Sequence, residues 1–406
     1  MPTPPLKVIV TRCLPKPVED RLLELFDVTL RNSDEPMTRA ELVDAVKSCD
    51  VLVPTLNDRI NSGLIGQAGE RMKLIANYGA GVDHIDVHTA RQNGILVSNT
   101  PGVLTDDTAD MTMALILAVT RRMPDGLATM QSGNWQGWSP TDLLGRRITG
   151  RRLGIIGMGR IGQAIANRCR LGFGMNVVFH NRSQKTVAGC IQLESLHAVM
   201  AAADVIVIAI PGGPETARMI DADAIAAMQS HAYLVNIARG DVMDEDALIA
   251  SLIGMAREQV ETMIGRTLIQ RSYLYRTASV RQTCFMIPKP PLISVTRVSV
   301  IDGNQSKTDL LPADYTVNVN CDPGVIAIKG SVDLSEYAAK PCGLEIEFTA
   351  GYGAVASDVP LPIRQAILLL LAQSYEHRDS GAPNTTLSGL PMMAEALLMP
   401  YRQVRL

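Results

Sequence analysis

The amino-acid sequence predicts an α/β protein: two successive domains built on parallel sheets, then a smaller α+β domain. Three observations predict it. Short apolar runs alternate with helical patterns between Leu6 and Ala238. A Gly-x-Gly-x-x-Gly turn, at Gly157, Gly159 and Gly162, comes directly off one of those runs. Past Gly265 the alternation stops and strand-and-turn sequence takes over. Alternating strands and helices specify a parallel sheet with helices on its faces, whereas strands followed by helices specify α+β.

At 406 residues the chain exceeds a single domain of roughly 100–200 residues, so more than one core is expected, with boundaries at 1–101, 102–253 and 254–406. In the first domain the strands are Leu6-Lys-Val-Ile-Val-Thr11, Asp50-Val-Leu-Val-Pro54, Leu74-Ile-Ala-Asn77 and Gly94-Ile-Leu-Val-Ser-Asn99, each a short apolar run suited to a buried parallel position. Thr100-Pro101-Gly102 ends the last of them. From Asp106 the spacing predicts a long bridging helix. Asp and Thr are available as caps, Met111, Ala114, Leu115, Leu117 and Ala118 form a buried side, and Arg121 and Arg122 sit at its negative end. The second series has strands at Leu153–Gly157, Asn176–His180, Asp204–Ile210 and Tyr233–Ala238, which reads as a doubly wound sheet cut short after its last strand. An edge left bare in this way is an aggregation hazard, and strands of the third domain are candidates to cover it.

In the third domain, turns at Asp302-Gly303 and Asp322-Pro-Gly324 separate alternating stretches such as Tyr315/Val317/Val319 and Leu344/Ile346/Phe348, from Arg281 to Phe348. Two helices follow. One runs from Pro360 to Arg378 with Ile363, Ala366, Ile367, Leu370 and Leu371 on one face; a shorter one, Met392 to Met399, is stopped by Pro400.

Composition narrows the partners. Hydrophobic residues make up 47% and charged residues 19%, with a net charge of −3, so no basic excess points to nucleic acid. Seven cysteines are scattered without a CxxC or a zinc-ligand spacing, which predicts reduced thiols and no metal site. The N-terminus lacks a basic segment followed by an apolar run, and no stretch approaches the roughly 18 apolar residues of a membrane span. A soluble, cytoplasmic protein without membrane partners is expected.

The glycine turn carries the chemistry. Gly157 permits a tight turn, Gly159 lets backbone approach a diphosphate, and Gly162 lets the following helix pack closely on its strand. The anion would then sit at the helix N-terminus, where free N–H groups point at it; the alternative is a plain structural turn. At the end of the next strand an NAD site places an acidic residue for the ribose hydroxyl, but this chain has His180-Asn181-Arg182-Ser183. With no carboxylate to repel a 2′-phosphate and Arg182 able to pair with one, NADP(H) is the preferred cofactor and NAD(H) stays open. The bland alternative for Arg182 is a solvated loop residue.

Leu74-Ile-Ala-Asn-Tyr-Gly-Ala-Gly-Val-Asp-His-Ile-Asp86, Asn99-Thr-Pro-Gly102, Asp107-Thr-Ala-Asp110, Gly133-Asn-Trp135, the glycine turn and Asn236-Ile-Ala-Arg-Gly240 follow one another as in D-2-hydroxyacid dehydrogenases, and most resemble the glyoxylate/hydroxypyruvate reductase branch. The resemblance implies a flavodoxin-like substrate domain, a Rossmann cofactor domain, a small 2-keto or 2-hydroxy acid as substrate, and a homodimer through the cofactor domain. It implies that the backbone of Ala80 and Gly81 holds the substrate carboxylate and that Arg239 clamps the acid. Arg160 and Ile161 would meet the diphosphate, while Thr108, Pro211, Thr216, Ile237 and Ala238 would line the cofactor cleft. For Arg239 the bland reading is a surface loop arginine.

The resemblance then breaks. In the family, two further strands bring a glutamate and a histidine in a Pro-His pair; the six histidines here are 84, 88, 180, 197, 231 and 377, and none follows a proline. The general acid is therefore expected to be missing, with His84 as a candidate substitute.

From Asp244 the chain resembles instead the head–tail connector (adaptor) proteins of phages and gene transfer agents. The resemblance lies in Asp244–Glu261, Gly265-Arg-Thr-Leu-Ile269, Ile287-Pro-Lys-Pro-Pro291, Asp314-Tyr-Thr-Val317, Phe348-Thr-Ala-Gly-Tyr-Gly353, Val359–Ala366, Tyr375-Glu-His-Arg378 and Pro400-Tyr-Arg402. It implies a structural role in ring oligomers. The join falls in one predicted helix, Asp244 to Ile264, with Leu248, Leu252, Ala256, Val260 and Ile264 on one stripe and Gly265 as C-cap. One such helix can serve either fold.

Overall fold

The computed structural model describes residues 5–133, 135–277, 283–302, 306–330, 332, 343–376 and 392–403. Asn134 of the Gly133-Asn-Trp135 motif, Gly303 of the Asp302-Gly303 turn and His377-Arg378 lie outside them. The chain forms two compact units, Met1–Ala247 and Leu248–Leu406.

The first unit holds two parallel sheets. Strands β1 (Lys7–Val10), β2 (Asp27–Thr29), β3 (Val51–Val53), β4 (Leu74–Ala76) and β5 (Leu96–Ser98) lie in the order β2-β1-β3-β4-β5, the flavodoxin-like arrangement. Alternation sorts their side chains. Ile9, Leu52 and Ile75 pack with Leu42 and Val46 of helix α2 (Arg39–Ser48) and with Leu64 and Ile65 of α3 (Ser62–Ile65), while Val8, Val10 and Val53 meet Val18 and Leu22 of α1 (Lys16–Leu25). α2 starts where Thr38 and Glu41 form a reciprocal capping box, satisfying two backbone donors at once. A short α4 (Val87–Gln92), capped by Asp86, leads into β5.

Helix α5 (Thr105–Arg121) connects to the second sheet, followed by α6 (Met123–Gln131). α5 does not use the expected Asp or Thr cap: its N-cap is Leu104, without a side-chain hydrogen bond. Asp106 and Asp107 lie in its first turn, where their charge suits the dipole, and Asp106 and Asp110 are taken up by Arg168 at 3.1 and 2.6 Å.

The second sheet contains β6 (Arg152–Ile156), β7 (Asn176–His180), β8 (Cys190–Gln192), β9 (Val205–Ile208) and β10 (Tyr233–Asn236) in the order β10-β9-β6-β7-β8. This is the Rossmann order without a sixth strand among the described residues, so β10 is an edge there. Helices α7 (Arg160–Phe173), α8 (Leu196–Ala202) and α9 (Ala222–Ala226) complete it. α5 and α7 cover one face, with Ala109, Met113 and Ile116 meeting Ile165, Ala166 and Cys169 over Ile155, Phe179 and Val207.

Helix α10 (Glu245–Ile264) begins in the first unit and continues into the second. Only the last part of its expected stripe is fully buried, Ala256, Val260 and Ile264, packed with Ile363 and Ala366 of α11 (Leu361–Glu376) and Leu398 of α12 (Met392–Leu398). Gly265, at φ 71°, ends α10 as anticipated. The strands of the second unit are β11 (Arg271–Thr277), β12 (Cys284–Met286), β13 (Leu292–Ile301), β14 (Lys307–Asp309), β15 (Tyr315–Asn318), β16 (Val325–Ile328) and β17 (Leu344–Ala350). They pair antiparallel among themselves as β11-β17-β13-β14 and β12-β16-β15. Leu344, Ile346 and Phe348 join the core of this unit, while on the opposite face buried Glu345 is held by Arg276, at 2.7 Å, and Lys307. A carboxylate so enclosed requires such partners.

Among the described residues no helix is long and apolar enough to cross a membrane, and no group of three or more metal-ligating side chains occurs.

Candidate active site

Each glycine of the turn has its own geometry. Gly157 takes φ 98°, a left-handed conformation that other residues avoid, and a Cβ there would lie 2.5 Å from the Ala209 carbonyl oxygen. A Cβ on Gly162 would lie 2.2 Å from the Gly157 carbonyl oxygen, so the start of α7 presses directly on the turn. Gly159 is the opposite case. Apart from its chain neighbours, no atom of the described residues lies within 4 Å of its would-be Cβ, and as N-cap of α7 it provides no side chain to occupy the free N–H groups. That open cradle fits a diphosphate.

At the end of β7, Asn181 performs a task not anticipated from sequence. Its Oδ1 accepts from Met158 N–H at 3.2 Å and its Nδ2 donates to Ser183 at 3.0 Å, tying the strand end to the glycine turn. Arg182 makes a 2.8 Å ion pair with Glu215, both side chains being exposed. Exposed pairs of this kind contribute little, so Arg182 remains exchangeable toward a stronger anion. Sequence reasoning missed Lys185, whose ammonium donates to the Met158 carbonyl at 2.9 Å beside the same turn. A basic residue three positions past Arg182 was the available signal.

A cleft of about 1140 Å³ lies at the carboxyl ends of strands from both sheets, where open α/β sheets bind ligands. It brings together Ala80, Gly81, Thr108, Arg160, Ile161, Pro211, Ile237, Ala238 and Arg239 from the sequence-derived set. Gly157, Gly159, Gly162, Asn181, Arg182 and Ser183 stand outside its lining. So does Thr216, whose hydroxyl instead donates to the Pro211 carbonyl at 2.8 Å and shapes that loop. Unanticipated lining residues include Asp83 and Arg12, whose Nη1 is buried without a hydrogen-bond partner among the described residues. Asp83 grips Arg239 through two 3.0 Å hydrogen bonds. Burial works to raise the Asp83 pKa, but the Arg239 guanidinium outweighs it and holds the carboxyl below its ordinary value. Asn236 aligns the Arg239 loop by accepting from Ala238 N–H at 2.9 Å and donating to the Arg239 carbonyl at 2.8 Å.

His84, the candidate substitute acid, does not line the cleft. Asn77 Nδ2 donates to the carbonyls of Gly79 and Gly81, which turns its Oδ1 toward His84 Nε2 at 3.0 Å. Nε2 therefore carries the proton, and Nδ1 is buried without a partner among the described residues. Burial lowers the His84 pKa from 6.5, while Asp83 and Asp58 oppose the shift. The neutral ring braces the Ala80–Gly81 loop through Asn77. A depressed folded pKa adds stability above the unfolded value of 6.5, and that contribution is lost as pH falls toward the folded value. Melting temperature is thus expected to drop between neutral and mildly acidic pH, with a shallower slope in His84→Gln; parallel slopes in thermal melts would contradict this.

The family model for "D-isomer specific 2-hydroxyacid dehydrogenase, NAD binding domain" matches residues 113–257. A glyoxylate reductase of Thermococcus kodakarensis is 40% identical over 254 residues, 61% of this chain and 75% of that relative. The chain belongs to the D-isomer specific 2-hydroxyacid dehydrogenase family. Another such relative, the glyoxylate reductase of Pyrococcus furiosus, is 39% identical over 254 residues, with the same shares covered. Among solved structures, the NADPH-dependent glyoxylate/hydroxypyruvate reductase of Sinorhizobium meliloti, in complex with NADP and malonate, has TM-score 0.54 at 28% identity, covering 61% of this chain and 76% of that one. The D-lactate dehydrogenase of Aquifex aeolicus, complexed with NAD and lactic acid, has TM-score 0.53 at 27% identity, covering 60% and 72%. A second family model, "Head completion protein", matches residues 230–404 of this dehydrogenase-family chain. The two matches overlap at 230–257, which takes in β10 and the first part of α10, where the sequence places the join.

Proposed function

We propose that the first unit binds NADP(H) and acts on small 2-keto or 2-hydroxy acids of the glyoxylate/hydroxypyruvate type. The observation that carries this is the Gly159 cradle under the uncapped N-terminus of α7, opening through Arg160 and Ile161 onto the cleft that also holds Arg239. NADP(H), when bound, supplies or accepts the hydride. The protein's part is to seat the diphosphate on backbone N–H groups at Gly159–Ile161, hold the acid's carboxylate on the Ala80–Gly81 backbone, and polarise the keto oxygen with Arg239. No histidine lines the cleft among the described residues, so proton delivery is the weak link.

The phosphate preference rests on Arg182 and Lys185, together with the absence of a carboxylate in His180-Asn181-Arg182-Ser183. NADPH is expected to bind more tightly than NADH. Arg182→Ala should weaken NADPH alone by about tenfold to hundredfold, the worth of one charge-assisted hydrogen bond at roughly 1.5–3 kcal/mol. Dissociation constants from fluorescence titration decide it: a clear NADH preference, or equal weakening of both nucleotides, contradicts the assignment.

A homodimer through the cofactor lobe is supported by α6, which buries none of its residues and exposes Met123, Leu127 and Met130, with exposed Trp135 and Trp138 just beyond it. A second reading, favoured by the head completion match over residues 230–404, is a connector-type assembly subunit carrying the dehydrogenase part as a passenger. It predicts rings in electron micrographs and indifference to NADPH.

A further inference from the structure

Arg239 stands just past β10, in the second lobe of its unit, yet the side chain that grips it comes from the first lobe. Asp83 Oδ2 accepts from Nε and Oδ1 from Nη2, each at 3.0 Å, across 156 positions of chain. Nη1 donates to the Ala238 carbonyl at 3.1 Å. A guanidinium carries five N–H donors, of which these bonds use three. Among the described residues one donor stays free on each terminal nitrogen, and Asp83 has occupied only one bidentate edge of the fork.

The pair is tightly enclosed. A Cβ on Gly81 would lie 2.6 Å from Arg239 Nη2 and 2.9 Å from Asp83 Oδ1; one on Gly212 would lie 2.8 Å from Arg239 Cγ and 3.2 Å from Asp83 Oδ2. One glycine from each lobe thus leaves the space in which the pair closes, and both partners line the cleft.

We propose that Asp83 is a positioning residue. Its carboxylate, contributed by the opposite lobe, fixes Arg239 so that the remaining Nη1/Nη2 donors receive the oxygens of a 2-keto acid. This rests on the dehydrogenase reading above. A carboxylate that competed with the acid for Arg239 would act in the opposite direction, and the two cases separate by the sign of one change in affinity.

The test uses oxamate, a non-reducible isostere of a 2-keto acid, titrated calorimetrically into the full chain saturated with NADPH. Asp83→Ala is expected to weaken oxamate about tenfold to hundredfold while leaving NADPH affinity unchanged. Asp83→Asn, which retains one acceptor oxygen in the same space, should recover part of the loss; a merely architectural role would weaken both ligands together and show no such rescue. Oxamate binding that is unchanged or tighter in Asp83→Ala overturns the proposal, as does joint loss of oxamate and NADPH in both variants. A wild-type chain that binds NADPH but not oxamate also overturns it, leaving the nucleotide site intact. One that binds neither overturns the dehydrogenase reading itself.

Discussion

Gly159→Ala is expected to cost the protein its cofactor and none of its stability, while Gly162→Ala costs both. The difference follows from what a methyl group would meet. At Gly159 it meets no atom of the described residues within 4 Å beyond its chain neighbours, so the folded chain accommodates it; a diphosphate drawn against the N-terminus of α7 does not. Crowding of this kind typically costs about 1–3 kcal/mol, which lowers NADPH affinity roughly tenfold to hundredfold. At Gly162 the methyl meets a main-chain oxygen at 2.2 Å, which cannot rotate aside, so α7 must lift from the glycine turn. A loss of about 3 kcal/mol or more is expected, a fall in melting temperature of roughly 6–12 °C at about 2–4 °C per kcal/mol. If the turn were purely structural, Gly159→Ala would be silent in every assay. Thermal melts and NADPH titrations of the two variants, run side by side, distinguish the cases.

Glyoxylate or hydroxypyruvate reduction by the full chain is expected to run about 10²–10⁴-fold below that of an intact family member, the contribution that a placed general acid typically makes. Hydride arriving at a keto carbon leaves an alkoxide that must take a proton from a group within hydrogen-bond reach. Arg239 can polarise the oxygen but keeps its own protons, and His84 is committed to Asn77 outside the cleft lining. Steady-state loss of NADPH absorbance measures the rate. Turnover within tenfold of an intact relative, by the same assay, would mean that another group delivers the proton.

Much of the nucleotide lobe was legible because its signals are local. An apolar run, three glycines and an amphipathic helix suffice to specify a strand, a turn and the start of α7, and the chain places all three there. Sequence order and short connections then imply the doubly wound arrangement. What was missed is short or depends on distant partners. β2 and β8 are edge strands, Asp-Val-Thr and Cys-Ile-Gln with no buried position, so they lack the apolar run that marks the equally short β3 and β4, and β11 alternates at half-buried positions outside the region where strands were expected. The cap of α5 was misjudged because the helix already starts at Thr105, which puts Asp106 and Asp107 inside its first turn, and its buried side is Ala109, Met113 and Ile116, with the expected Met111 and Leu115 exposed. Asp83 reads as one more acidic residue in a loop until the fold brings Arg239 to it. Thr216 carries the expected hydroxyl, but it turns toward its own loop.

Isothermal titration of NADPH into the full-length chain tests the central claim most directly. Saturable binding at one site per chain with a micromolar dissociation constant is the predicted result. A flat heat trace up to millimolar nucleotide, from protein shown by circular dichroism to be folded, would contradict it and leave the connector reading in its place.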